Sequence, residues 1–312
     1  MGLESLFIDL SPTDRQMALV AFDLDKTLGY FQHVAPWGDF FSVETLENSF
    51  NMDINPGFKI AAGLRAKLRA AETLFVKRVM RDKALIQTLL RPNVGSLLRP
   101  LIRAKKTGTV RAVCIYSNTW STFTMILAKR LLESLYDCPG FFDATIDATH
   151  PLRRHDWATI EHGEPVKTFR VLRDIFRTEC GVKGRIEPRD ILFVDEREED
   201  HYLYADVPNG LTYLKPAAFS PVISEDVKER MFMLGLEVLD DSGLFADTEY
   251  LDSQIFHCNK FARTNTTFKL SGIFQLLELG EQYIRKAGRH PVVFNNDSAS
   301  CKRTIAKYLS QF

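Results

Sequence analysis

Residues 18–31 read ALVAFDLDKTLGYF. Ala18 to Phe22 form a short apolar run of the kind that is buried on both faces of a parallel sheet. The run ends on Asp23 and Asp25, followed by Lys26 and Thr27. Residues two apart on an extended backbone project to the same side. A strand suited to burial therefore closes on two carboxylates that share one space and repel each other. A DxD after an apolar run is in most chains a turn or a helix cap, so its meaning depends on what the other strand ends carry.

Two further apolar runs stand out: RAVCIY at 111–116 and DILFV at 190–194. The first is followed by Ser117 and Asn118, the second by Asp195 and Glu196. Helical spacing of apolar residues covers about 58–90, 92–106, 120–136 and 165–179, with Gly or Pro turns such as KKTGT and CPG closing several of these segments. Alternating strands and helices predict an α/β domain with a mainly parallel sheet, and in such sheets ligands gather at the carboxyl ends of the strands. A carboxylate nucleophile, a second carboxyl, hydrogen-bond donors and the cation Lys167 are the parts that phosphoryl transfer through an aspartyl-phosphate needs.

In this order the motifs D23-L-D25-K-T27, YS117N118, EPVK167 and FVD195E196REED200 resemble those of the haloacid dehalogenase superfamily of phosphotransferases. Response-regulator receivers use similar residue types but place the acidic pair before the phosphoacceptor. Within the superfamily, the FDLDxTL opening and the RP turn of LLRPNVGSLLRPL at 89–101 look most like phosphatases of the RNA polymerase II C-terminal domain and the related NLI-interacting-factor-like proteins. The resemblance covers about residues 20–215. It departs from that subfamily at Ser117, where Thr is usual, at Glu196, where Asp or Asn is usual, and in the added helical stretch 58–90.

The resemblance implies a Rossmann-like α/β core with flanking helices and a Mg²⁺-dependent phosphomonoester hydrolase acting on phosphoserine or phosphothreonine of a protein. A small-metabolite or nucleic-acid-end phosphatase, and an inactive binding or scaffold protein on the same fold, are the alternatives. It implies Asp23 as nucleophile and Asp25 as acid and base, with Thr27 orienting Asp25 or the turn. Ser117, Asn118 and Lys167 would bind phosphate, Lys167 also neutralising the nucleophile. The metal would sit on the Asp23 side chain, the Asp25 carbonyl and Asp195, with Glu196 or Asp200 completing the set. The domain expectation is a phosphatase domain over 1–221, with a helical insert at about 58–90, and a mostly helical section over 222–312 in which no chemistry is legible.

Composition narrows the classes. Forty basic residues balance forty acidic ones, and hydrophobic residues make up 45% of the 312, an ordinary globular mixture that by itself points to no nucleic-acid or membrane partner. Five scattered cysteines, without CxxC or Cys/His spacing, indicate neither a disulfide framework nor a zinc site. His150, His155, His162 and His201 likewise lack ligand spacing. With no secretory leader pattern or membrane-span pattern in the sequence, the expectation is an intracellular protein, cytoplasmic or nuclear. Residues 59–106 carry thirteen Lys and Arg against Glu72 and Asp82. They read either as a solvated helical face or as a basic cap attracting an acidic phosphoprotein or a nucleic acid. Phe22, Tyr30, Phe31, Trp37, Phe40 and Phe41 read as core or as pocket wall.

Overall fold

The computed structural model describes residues 18–43, 47, 59–153, 160–161, 164–165, 167–197, 210–244, 247 and 250. Its strands are β1 (Ala18–Phe22), β2 (Val110–Tyr116), β3 (Ala144–Ile146), the short pair β4 (Ile160–Glu161) and β5 (Glu164–Pro165), β6 (Ile191–Val194) and β7 (Thr212–Leu214). Its helices are α1 (Ala35–Phe41), α2 (Ala62–Arg81), α3 (Lys83–Leu89), α4 (Val94–Lys106), α5 (Thr122–Leu135), α6 (Phe169–Thr178) and α7 (Glu225–Asp241).

Five strands form one sheet in the order β3-β2-β1-β6-β7, and every neighbouring pair is parallel. The α/β expectation is borne out. The three strands legible in the sequence occupy the middle of the sheet, where burial on both faces makes them continuous apolar runs. Strands β3 and β7, three residues each, are too short to show a period and escaped the sequence reading. The chain moves from β1 outward through β2 to β3, then returns to β6 on the other side of β1. That reversal opens a crevice at the carboxyl ends of β1 and β6.

One face of the sheet packs Leu19 and Ala21, Cys114 and Tyr116, and Ile191 and Phe193 against Val171, Leu172, Ile175 and Phe176 of α6. Thr168 caps α6, its Oγ1 accepting the Val171 N–H at 3.3 Å. The intervening residues Val20, Phe22, Val113 and Ile115 are equally buried and by the strand alternation face the other way. Among the described residues, Cys114, Cys138 and Cys180 are free thiols.

By compactness the chain divides into two units, Met1–Gln32 with Ile86–Pro221 and His33–Leu85 with Val222–Phe312, each in its described residues. The sheet belongs to the first. In the second, Trp37 lies among Phe40, Phe41, Phe75 and Phe232 at ring-centroid distances of 5.5, 5.8, 6.0 and 6.0 Å. These aromatics are core. The helical stretch expected at 58–90 is two helices, because Asp82 turns its Oδ1 to the N–H groups of Ala84 and Leu85 at 3.0 and 3.2 Å and starts a new one.

Several charges of the basic segment are answered inside the chain. Lys59 and Arg65 pair with Glu47, Lys67 with Asp247, Arg78 with Glu237 and Asp241, and Lys105 with Asp143. Ser224 caps α7, which lies in the section expected to be mostly helical. The remainder of that section, residues 251–312, is outside the described residues, as are His155, His162, His201 and Asp200. No helix among the described residues is long and apolar enough to cross a membrane.

Candidate active site

Each of the three strands that end on polar residues is extended by one further backbone hydrogen bond. The Asp23 N–H donates to the Val194 carbonyl at 2.8 Å, Ser117 N–H to Ile146 at 2.9 Å, and Asp195 N–H to Leu214 at 3.1 Å. The sheet thus holds the backbone of the residues that carry the polar side chains, and position on a rigid element fixes where those side chains start.

After Asp23 the chain turns back sharply. Lys26 adopts a left-handed conformation (φ 62°), and the N–H groups of Leu28 and Gly29 both reach the Leu24 carbonyl, at 2.9 and 3.2 Å. Gly29 meets the Leu89 carbonyl so closely that a Cβ there would collide with it. Only glycine allows that approach.

The Lys167 ammonium, two residues ahead of α6, lies between two carboxylates, donating to Asp23 Oδ1 at 2.5 Å and Asp195 Oδ2 at 2.8 Å. The rings of Tyr116 and Phe193 flank it at 5.8 and 5.4 Å, within cation–π range. Lys167, Asp23 and Asp195 are all buried. Glu196 joins them: carboxylate oxygens of Asp23, Asp195 and Glu196 lie within 4.8 Å of one another. Glu196 is held by Thr27, whose hydroxyl donates to Oε2 at 2.6 Å while accepting the Glu196 N–H at 3.0 Å. Thr27 is expected from the sequence to orient Asp25 or the turn; the described bonds of its hydroxyl go to Glu196.

Asp25 stands apart from this cluster. Its Oδ1 accepts the Phe31 N–H at 3.2 Å, and its carboxylate is not one of the clustered three. Burial raises its pKa, opposed by the Phe31 bond and reinforced by Glu196. The negative charge that adds to burial is that of Glu196 rather than that of Asp23, the partner expected from the sequence.

Burial also drives the Asp23 pKa well above the ordinary carboxylate range; Lys167 opposes this, and Asp195 and Glu196 reinforce it. For Asp195, burial acts upward too, but Lys167, the Arg197 N–H at 3.0 Å and the Arg197 charge outweigh it and the pKa falls. Burial pulls Lys167 down, while Asp195 and Asp23 more than reverse that.

Three buried carboxylates face the Lys167 ammonium, with the Arg197 guanidinium 3.8 Å from Glu196, so the cluster carries an excess of negative charge when all three are ionised. A divalent cation balances that excess, and an all-carboxylate oxygen donor set with no His or Cys suits a hard ion such as Mg²⁺. The residues present fit such an ion.

Ser117 and Asn118 sit at the end of β2, Ser117 buried and Asn118 partly so. The Thr119 N–H approaches Ser117 Oγ at 3.4 Å. Two arginines that the sequence reading did not single out act nearby. Arg153, in a short turn, donates to the Ser117 carbonyl and to Asn118 Oδ1, each at 2.6 Å. Arg91 opens the RP turn and donates to the carbonyls of Thr27 and Ala217, each at 2.5 Å, and to that of Lys26. Arg91 stands in the RP turn read from the sequence, but what each arginine binds, a backbone or amide oxygen far away along the chain, leaves no local pattern. Arg197 lies 3.8 Å from Glu196 Oε1.

No family model matches the chain. No curated protein matches it. Among solved structures, it is similar to a crystal structure of a HAD-superfamily hydrolase, subfamily IA, variant 1, from Geobacter sulfurreducens PCA, with 15% identity, 70% of this chain and 97% of that chain covered, and a TM-score of 0.30. So loose a superposition supports no functional inference, which rests on the chain's own residues.

Proposed function

We propose that this chain is a Mg²⁺-dependent phosphomonoester hydrolase of the haloacid dehalogenase type, working through an aspartyl-phosphate on Asp23. The observation that carries the reading is Lys167 set between Asp23 and Asp195, with Glu196 beside them, in the crevice where the strand order reverses. A buried acidic cluster of this kind has no structural advantage over apolar packing, which favours a site retained for chemistry.

Asp23, Asp195, Glu196 and the Asp25 backbone carbonyl would hold the metal. When bound, Mg²⁺ supplies positive charge that lets an anionic phosphate approach an anionic nucleophile. Lys167 holds Asp23 Oδ1, and the second Asp23 oxygen accepts no hydrogen bond among the described residues. That oxygen attacks phosphorus, and the bond to the leaving oxygen breaks with its electron pair. Asp25, kept protonated more readily by burial, gives its proton to that oxygen. It then takes a proton from the water that attacks the aspartyl-phosphate, so that inorganic phosphate leaves and the Asp23 carboxylate returns. Acid and base work of this kind contributes about 10²–10⁴-fold. Ser117 and the Asn118 N–H donate to phosphate oxygens.

The substrate proposed is phosphoserine or phosphothreonine in a protein, on the sequence resemblance alone. The deciding experiment is hydrolysis of an aryl phosphate with and without Mg²⁺ by the parent and Asp23→Asn. Activity in the parent only, and only with Mg²⁺, is expected. Turnover that survives Asp23→Asn overturns the mechanism, and a parent inert toward the aryl phosphate, phosphopeptides and phosphorylated metabolites favours a binding protein.

A further inference from the structure

We propose that Arg153 is the positioning residue of the phosphate-binding turn, acting through Ser117 and Asn118; this rests on the phosphatase reading above. Arg153 is the largest side chain buried completely among the described residues. Arginine is seldom buried unless its donors are engaged, and withdrawing a guanidinium from water is costly before any bond forms. Here the planar fork spans two consecutive residues, one nitrogen on the Ser117 carbonyl and the other on Asn118 Oδ1, both at 2.6 Å. Its carbon lies 4.8 Å from the centre of the Tyr116 ring, one residue earlier on the same strand. Three successive residues at the end of β2 thus bear on one rigid group.

The consequence falls on Ser117. Its N–H is held by the Ile146 carbonyl of β3 and its own carbonyl by Arg153. With both backbone polar groups fixed, the hydroxyl rotates about a stationary Cα, and the next amide in the chain has a set direction. Arg153 also holds Asn118 Oδ1, so the side chain of the following residue is fixed together with the Ser117 carbonyl. The lysine ammonium cannot span two acceptors in a plane as the guanidinium does, so Arg153→Lys keeps the charge and loses the geometry.

The test is a double-mutant cycle on Ser117→Ala and Arg153→Lys, read by calorimetric binding of inorganic phosphate in Mg²⁺ and by KM and kcat for an aryl phosphate. Each single variant is expected to weaken phosphate binding by about 10–100-fold, the range for a group that orients a ligand-binding residue. The double variant is expected to lose clearly less than the product of the two single effects, because Arg153 acts in part through Ser117. Mg²⁺ affinity should stay at the parent value in all three. Multiplied effects in the double variant, or Arg153→Lys that binds phosphate like the parent, overturn the positioning role. A parent that hydrolyses nothing and binds no phosphate overturns the phosphatase reading, and this inference with it; a parent that does both, with multiplied effects, removes this inference alone. If Arg153→Lys fails to fold, Asn118→Ala severs one of the two bonds from the other side. Its loss of phosphate binding should likewise shrink in the Ser117→Ala background, and independent effects count against the role.

Discussion

Replacing Asp23 by Asn separates stability from function in a way that follows from the charge arrangement. With an effective dielectric constant of about 20, two unit charges at 4.8 Å, the widest spacing of the clustered oxygens, repel by about 3.5 kcal/mol, and opposite charges at 2.5–2.8 Å attract by about 6 kcal/mol. Asp23 faces two such repulsions, from Asp195 and Glu196, against one attraction from Lys167. The charge terms nearly cancel, so desolvation decides, and it decides against the carboxylate, in line with the raised pKa. Asparagine keeps an oxygen for Lys167, which retains Asp195 as its ionic partner. Without metal, Asp23→Asn is expected to be more stable than the parent by about 1 kcal/mol, which is about 2–4 °C in melting temperature for a domain of this size.

Because the folded pKa of Asp23 lies above its unfolded value, its favourable contribution is present at low pH and is lost as pH rises through the folded value. The advantage of the variant should therefore open from about pH 4 upward. With Mg²⁺ the order reverses. Ligand at a hundred times its dissociation constant stabilises the parent by about 2.7 kcal/mol, while the variant, short of one anionic donor, gains little. Melting curves followed by circular dichroism, with EDTA and with Mg²⁺ between pH 4 and 8, read both arms. A variant less stable than the parent in EDTA, or one that gains as much from Mg²⁺, refutes the charge accounting.

Lys167→Met removes the counter-charge of two buried carboxylates, so the metal-free protein should lose about 3–5 kcal/mol. Mg²⁺ should then bind more tightly than in the parent while aryl phosphate turnover falls by at least ~10²-fold, as titration calorimetry and steady-state kinetics would show. Thr27→Val, nearly isosteric, breaks both bonds that hold Glu196; Mg²⁺ affinity measured by calorimetry should fall about 10–100-fold. Gly235→Ala places a methyl group into the Trp37 ring, and the resulting overpacking should cost about 1–3 kcal/mol in a denaturant titration.

Much of the architecture was legible because its signals are local. ALVAF, RAVCIY and DILFV announce central strands by being apolar throughout, and the residue after each run is where the polar groups of the site stand. Asp23, Ser117, Lys167 and Asp195 could be named from order and spacing, since a strand end is a position that the pattern itself defines. Other features depend on distance along the chain. The three-residue strands β3 and β7 carry too few residues for a period, yet β3 supplies the carbonyl that fixes Ser117, and β7 the one that fixes Asp195.

The sequence by itself determined the α/β class, the central strands and the polar residues at their ends, through hydrophobic period and residue order. Tertiary structure alone decided which groups answer one another. Thr27 serves Glu196, 169 residues away, rather than its neighbour Asp25. Burial more than mutual repulsion sets the proton affinities of the two aspartates. Arg153, unremarked in HPLRRHD, became the clamp on the end of β2. Hydrogen bonds and desolvation belong to neighbours in space, and a linear pattern records only neighbours along the chain.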